Sequence, residues 1–235
     1  MYKSIFHWSG GKDSALCLYL AQQQNKYDIQ HLVTTLSSAT RRITMHGVRQ
    51  ELLAQQAQQI GLPLTEVWLP EIADIHTYNQ QMEAAADHFV SQGITHAIFG
   101  DINLQDLREY REQQLARTGL QAVFPLWGRS TRTLVQEFIA IGFKAVVVCV
   151  NARLLDASFV GRELDAHFLE ALPPGVDPAG ENGEFHTFVY DGPLFTRPVD
   201  FIVGEKVKKT YAPAADANTE KPAFDTDFWF SELLP

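Results

Sequence analysis

Cysteine is nearly absent: Cys17 and Cys149 are the only two in 235 residues. Two isolated thiols make neither a disulfide framework nor a zinc site, so both read as small buried apolar residues. No apolar run approaches the roughly 18 residues that a membrane span requires. The first eight residues are too short an apolar stretch for a signal peptide and lack a small-residue cleavage site, so they read as a first strand and the chain as cytoplasmic. Basic excess is missing as well. The net charge is −9; residues 1–127 carry 9 basic against 12 acidic side chains, and residues 128–235 carry 10 against 16. A protein that grips nucleic acid shows a basic footprint that releases phosphate counterions, so nucleic acid is disfavoured as a partner. The short Lys206-Val207-Lys208-Lys209 cluster reads as a solvated strand edge. There is no HExxH, CxxC, nucleophile elbow or kinase signature. His7, His31, His76, His88, His96 and His167 fall at no metal-ligand spacing.

What is present is enough for a full core: 46% of residues are hydrophobic and 20% charged. Strands are expected at 4–8, 29–36, 64–69 and 95–100, alternating with helices at 13–24, 46–60, 76–92 and 105–117. Gly61, Gly93 and Gly119 stand as helix stops. Such alternation means βαβ units and a parallel sheet with right-handed crossovers. Pro125-Leu126-Trp127-Gly128 punctuates the chain. After it come a helix at 131–141, a strongly apolar strand at 145–150, a helix at 162–172 and β-rich segments at 187–190, 199–203 and 207–211. Residues 211–223 read as a mobile segment and 224–234 as a packed tail. The fold class is therefore α/β, with a parallel-sheet domain at 1–127 and a smaller α+β domain at 128–235.

The segment Ser9-Gly10-Gly11-Lys12-Asp13-Ser14 directly follows a strand and opens a helix. Two glycines let the backbone turn sharply, and successive N–H groups with the positive end of the helix dipole form an anion site. Ser9 and Ser14 add hydroxyls, and Lys12 adds a cation on what reads as an exposed loop. The arrangement suits a phosphate-bearing ligand. It is not a Walker A loop, because Phe6 stands at the first glycine position and Asp13 at the Ser/Thr position. Asp101 lies just past a strand's C-terminal end, where parallel sheets place ligands, and is a candidate Mg²⁺ ligand. Glu181, Asn182, Glu184 and His186 crowd behind a Pro/Gly-rich loop. Two residues apart on an extended strand, Glu184 and His186 would point the same way. Arg162 is expected to open a helix and to reach a phosphate or carboxylate.

SGGKDS resembles the pyrophosphate loop of the N-type ATP pyrophosphatases, a branch of the adenine nucleotide α-hydrolase fold. His46-Gly47-Val48, Phe99-Gly100-Asp101-Ile102, Phe124-Pro125-Leu126-Trp127, Leu155-Asp156-Ala157-Ser158-Phe159-Val160-Gly161-Arg162 and Gly180-Glu181-Asn182-Gly183-Glu184-Phe185-His186-Thr187 follow in the order of the diphthine–ammonia ligase family. The resemblance implies an N-terminal ATP domain and a smaller domain completing the substrate cleft. It implies ATP and Mg²⁺, with ATP held by Ser9, Gly10, Gly11, Lys12, Asp13 and Ser14. It also raises His46, which by itself reads as a helix N-terminal residue. The final motif departs from the ligases acting on diphthine, where a carboxylate stands at the position of His186. This version is similar to the bacterial branch, for which diphthine is the wrong substrate and a role in cobalamin salvage has been suggested. The expected activity is amidation of a small-molecule carboxylate by ammonia or an amine through an acyl-adenylate, releasing AMP and pyrophosphate. Lys12, Asp13, Glu184 and His186 are the expected catalytic residues, with His46, Arg162, Glu181, Asn182, Glu184 and His186 at the acceptor. Alternatives are a tRNA-modifying ATP pyrophosphatase and a non-catalytic ATP-binding sensor; a homo-oligomer stays open.

Overall fold

Strand β1 (Tyr2–His7) holds the centre of a parallel sheet because its side chains are needed on both faces. Phe6 packs towards α1 (Lys12–Gln23) and α2 (Gln50–Ile60), while Ile5 packs towards α3 (Ile75–Ser91) and α4 (Gln105–Ala116). Burial on both faces is the mark of a parallel sheet covered by crossover helices. The computed structural model describes residues 1–43, 47–70, 74–210 and 227–235. One edge of β1 pairs with β2 (Tyr27–Ser37), and β2 in turn with β4 (Leu64–Leu69). The other edge pairs with β5 (His96–Ile98), which pairs with β6 (Gln121–Val123). All of these pairings are parallel. A two-residue strand, β3 (Arg42–Ile43), folds back antiparallel on the end of β2. Leu36 and Ser37 bond both β3 and β4, so those two strands lie on opposite edges of β2.

The chain moves outward from β1 to β2 and β4, then returns to the other side of β1 for β5 and β6. The order therefore reverses between β1 and β5, and the crevice beyond their C-terminal ends is where open α/β sheets place ligands. The loop 9–14 leaves β1 there, and Gly100-Asp101 leaves β5 beside it.

A second, antiparallel sheet has the order β8-β7-β10-β9. It is built from β7 (Lys144–Asn151), β8 (Phe185–Asp191), β9 (Ile202–Thr210) and β10 (Asp227–Leu234), with α5 (Thr131–Ile141) and the short α6 (Ala166–Ala171). Every residue of β7 after Lys144 is buried. One apolar core runs from Phe6, Trp8 and α1 through α5 to β7 and β8. Both cysteines are buried and free, as their isolation implied.

Several boundaries differ from the expectation for local reasons. The helix expected from residue 46 starts at Gln50: Gly47 has φ +71° and Arg49 is extended, bridging Arg42. The helix expected at 162–172 shrinks to α6. The stretch before it is drawn onto β7, with Gly161 N donating to Val147 O, Val147 N to Arg162 O and Leu164 N to Ala145 O. Asp165 then caps α6 through its carboxylate, which accepts the Phe168 N–H at 2.7 Å. The strands expected at 199–203 and 207–211 are one strand, β9. The tail from Asp227 is β10, and residues 211–226 lie outside the described residues. No helix among the described residues is long and apolar enough to cross a membrane.

Candidate active site

The loop 9–14 is shaped by contacts on three sides. Gly10 has φ +76°, and a Cβ there would sit 2.8 Å from Gln56 Oε1 and 2.9 Å from Leu53 Cδ2, so only glycine fits. Gly11 is the extended cap residue of α1 and has no side chain to close the helix end. The first N–H groups of a helix lack intrahelical partners, which leaves this end suited to an anion. Ser9 Oγ lies 3.1 Å from Ser14 Oγ and accepts the Gly11 N–H at 3.3 Å.

The edge of β8 closes over the loop. Val189 N–H donates to Gly10 O at 2.9 Å, and Thr187 Oγ1 accepts the Lys12 N–H at 3.0 Å. Lys12 is thus not the exposed residue expected of a loop: it is 4% exposed. Its Nζ lies 2.8 Å from Asp13 Oδ2 and 5.4 Å from the centre of the Phe185 ring, so the cation is held between a carboxylate and an aromatic face.

The hollow around Lys12 is acidic. Burial raises the Asp13 carboxyl above the usual range, Lys12 opposes that, and Asp177 and Asp101 add to it. Glu181 is likewise raised, by burial first, with Asp13 and Asp101 contributing; its Oε1 accepts the Asn103 N–H at 2.9 Å. Glu181 therefore reaches the connection after β5 and faces the loop 9–14 across one crevice.

Three expected site residues stand differently from the sequence reading. Asp101 is not an open cation ligand: Arg111 Nε lies 2.6 Å from its Oδ2, and the guanidinium rests 4.5 Å from the Phe99 ring centre. Glu184 is 2% exposed, and its carboxylate organises its own loop. It accepts the N–H of Asp177 at 3.0 Å, the N–H of Asn182 at 2.9 Å and the Asn182 amide at 3.1 Å. A carboxylate so engaged is poorly placed to take a proton from a substrate. Glu184 and His186 also do not share a strand face, because β8 begins only at Phe185. Thr187 and Phe185 point to Lys12, so alternation sends His186 to the opposite face with its cross-strand neighbour Cys149 and, one strand further, Phe230. Phe230 packs against Gly47. His46 lies outside the described residues. Arg162 stacks over Phe159 at 5.2 Å and Phe168 at 5.4 Å, and Phe168 meets Phe185 edge-on. Two rings thus separate Arg162 from Lys12.

Sequence reasoning missed Thr187, Gln56, Asp177 and Arg111. Thr187 closes the GENGEFHT motif and was within reach. Asp177 Oδ1 accepts the N–H of Ala179 and its Oδ2 accepts the Thr131 hydroxyl, and an Asp between Pro/Gly-rich turns signals such a role. Gln56 and Arg111 sit on amphipathic helices and carry no local signal.

ATP suits the glycine loop, the cation and the helix end. A preassembled metal cage does not: among the described residues no three His, Cys, Asp or Glu side chains converge on one point. Mg²⁺ in this setting would arrive on nucleotide phosphates, drawn by the acidic hollow, and would neutralise phosphate charge. A cavity lies elsewhere, between the sheet and α3 and α4, lined by His7, Phe89, Phe99, Tyr110 and Arg111. At about 50 Å³ it has room for ordered water. His7 Nε2 is buried there without a hydrogen-bond partner among the described residues, and burial followed by the Arg111 charge lowers the imidazole to about 3, keeping it neutral.

Comparison with known proteins places the chain. Residues 2–122 match the diphthamide synthase N-terminal domain and residues 130–214 the diphthamide synthase C-terminal domain. Diphthine–ammonia ligase of Mus musculus is 33% identical over 121 residues, covering 48% of this chain and 45% of that protein. The Homo sapiens protein of the same name is 32% identical over the same extent. The chain thus spans about half the length of these relatives. A solved structure, a predicted subunit of tRNA methyltransferase from Methanocaldococcus jannaschii, has a TM-score of 0.42 at 16% identity, covering 62% of this chain and 80% of that one. A likeness at that level carries no argument. The N-terminal match alone takes in more than half of the residues, and this chain belongs to the diphthamide synthase family.

Proposed function

We propose that this protein is an ATP-dependent ligase that converts a small-molecule carboxylate to an amide, with release of AMP and pyrophosphate. The observation that carries the reading is the loop 9–14 at the sheet's reversal point, with Lys12 buried beside Asp13 under the edge of β8. Family membership supports it, since relatives bear the name diphthine–ammonia ligase. In this reading residues 1–127 bind ATP, and residues 128–235 bring the acceptor.

The loop's N–H groups and the Ser9 and Ser14 hydroxyls hold the β- and γ-phosphates. Lys12 offsets charge that grows on the departing pyrophosphate, which is where a fixed cation lowers the barrier most. Asp13 holds Lys12 in place, and Mg²⁺ bound with the nucleotide would supply further positive charge there. An acceptor carboxylate oxygen attacks the α-phosphorus, giving an acyl-adenylate and pyrophosphate. Ammonia or an amine then attacks the acyl carbon and AMP leaves. A bare carboxylate has no acceptable leaving group, which is why the adenylation step comes first. Glu181 faces this crevice and orients the acceptor, while Glu184 and Asn182 keep its loop in place. With Glu184 so engaged and His186 on the far face of β8, beside Cys149 and Phe230, the proton of the incoming amine passes to water.

His186 in place of the carboxylate found in ligases acting on diphthine favours an acceptor other than diphthine, and cobalamin salvage is the setting we favour. The expected result is carboxylate-dependent exchange of labelled pyrophosphate into ATP, requiring no tRNA. Exchange seen only with tRNA would replace the ligase by a tRNA-modifying ATP pyrophosphatase. Tight ATP binding with no exchange for any carboxylate would point to a sensor.

A further inference from the structure

Gln56 lies on α2, outside every motif of the site, and is fully buried. A buried amide must find partners for two donors and an acceptor, and here they are one loop carbonyl and two groups that flank the loop. Its Nε2 donates to Gly10 O at 3.0 Å and to Val189 O at 2.6 Å, and its Oε1 accepts the Trp8 indole N–H at 2.9 Å. Val189 N–H donates to the same Gly10 carbonyl. One side chain thus joins the end of β1, the first glycine of the loop and the edge of β8.

We propose that Gln56 is a positioning residue for phosphate binding, which fixes the Gly10–Gly11 peptide so that its N–H faces the anion site. A trans peptide carries its C=O and N–H on opposite sides. With the Gly10 carbonyl held by Gln56 and Val189, the Gly11 N–H is sent the other way, and it meets Ser9 Oγ there. Without that hold, φ near +76° at Gly10 is one of several conformations open to a glycine pair, and the peptide can turn its carbonyl towards the phosphates. The Val189 O contact makes β8 part of the same support, so the second sheet takes part in ATP binding as well as in acceptor binding.

The proposal rests on the ATP-ligase reading, and one experiment separates their failures. Inorganic pyrophosphate and ATP are titrated calorimetrically into the wild type, Gln56→Met and Gln59→Leu, with thermal unfolding measured alongside. Gln59 is buried on the same helix and bonds Thr196, away from the loop. Gln56→Met keeps the length and loses both donors. It should weaken pyrophosphate and ATP by about 10-fold or more, an effect in line with lost hydrogen bonds to a charged ligand's cradle. Gln59→Leu should lower stability and leave both affinities within about twofold, as expected of a residue with a merely structural role. Trp8→Phe, which keeps Gln56 but frees its amide to rotate, should give a loss of several-fold and serves if Gln56→Met does not fold. Affinities unchanged in the Gln56 and Trp8 variants, or an equal loss in Gln59→Leu, would overturn the proposal. A wild type that binds neither ligand would remove the ATP reading itself and this inference with it.

Discussion

Lys12→Met should slow ATP cleavage by about 10²–10³-fold, the loss of roughly 3–4 kcal/mol that removing one preorganised charge from a reacting phosphate produces. The lysine is buried between Asp13 and Phe185, so methionine, which keeps most of the stem, tests the charge more cleanly than alanine. ATP affinity should fall less than turnover, because the charge on the departing pyrophosphate is greatest in the transition state. Stability should change little. Removing the cation leaves Asp13 in a hollow that already raises its carboxyl above the usual range, and the acid relieves the cost by taking up a proton. Single-turnover quench measurements on the folded variant check this. A rate within a fewfold of wild type would return the loop to a plain strand-to-helix turn.

Glu184→Gln should unfold at lower denaturant, by about 2–3 kcal/mol, and should also lose most turnover. Its two oxygens accept three N–H donors, from Asp177 and from the backbone and side chain of Asn182. An amide puts an NH₂ against one of these donors and leaves it unsatisfied in a buried place. The loop that carries Glu181 then loses its template. The alternative role, a general base with no structural duty, gives the opposite pattern: turnover lost and the unfolding midpoint unchanged. Chemical denaturation and an ammonia-dependent assay on one preparation distinguish the two.

The parallel sheet and the glycine loop were legible because both leave local marks. Strands alternating with glycine-stopped helices report a βαβ chain, and a GG pair between strand and helix reports an anion site. The two-residue β3 and three-residue β6 are too short for any periodicity to show. Residues 162–165 carry helix-compatible side chains, yet pairing with β7 overrides that preference, and Asp165 moves the helix start. The direction of side chains was the larger loss. Spacing placed Glu184 and His186 on one face, but the strand begins between them, so one closes a turn and the other lies behind Thr187. Arg111 could not be paired with Asp101 from sequence, because a helix and a strand end meet only in the folded chain.

If the loop 9–14 cradles the pyrophosphate half of ATP, the bond broken lies between the α- and β-phosphates. Phosphorus NMR of a turnover mixture containing ATP, Mg²⁺, ammonia and a panel of small carboxylates reads the products directly. AMP and pyrophosphate should accumulate in equal amounts. ADP and orthophosphate as the main products would contradict that role of the loop.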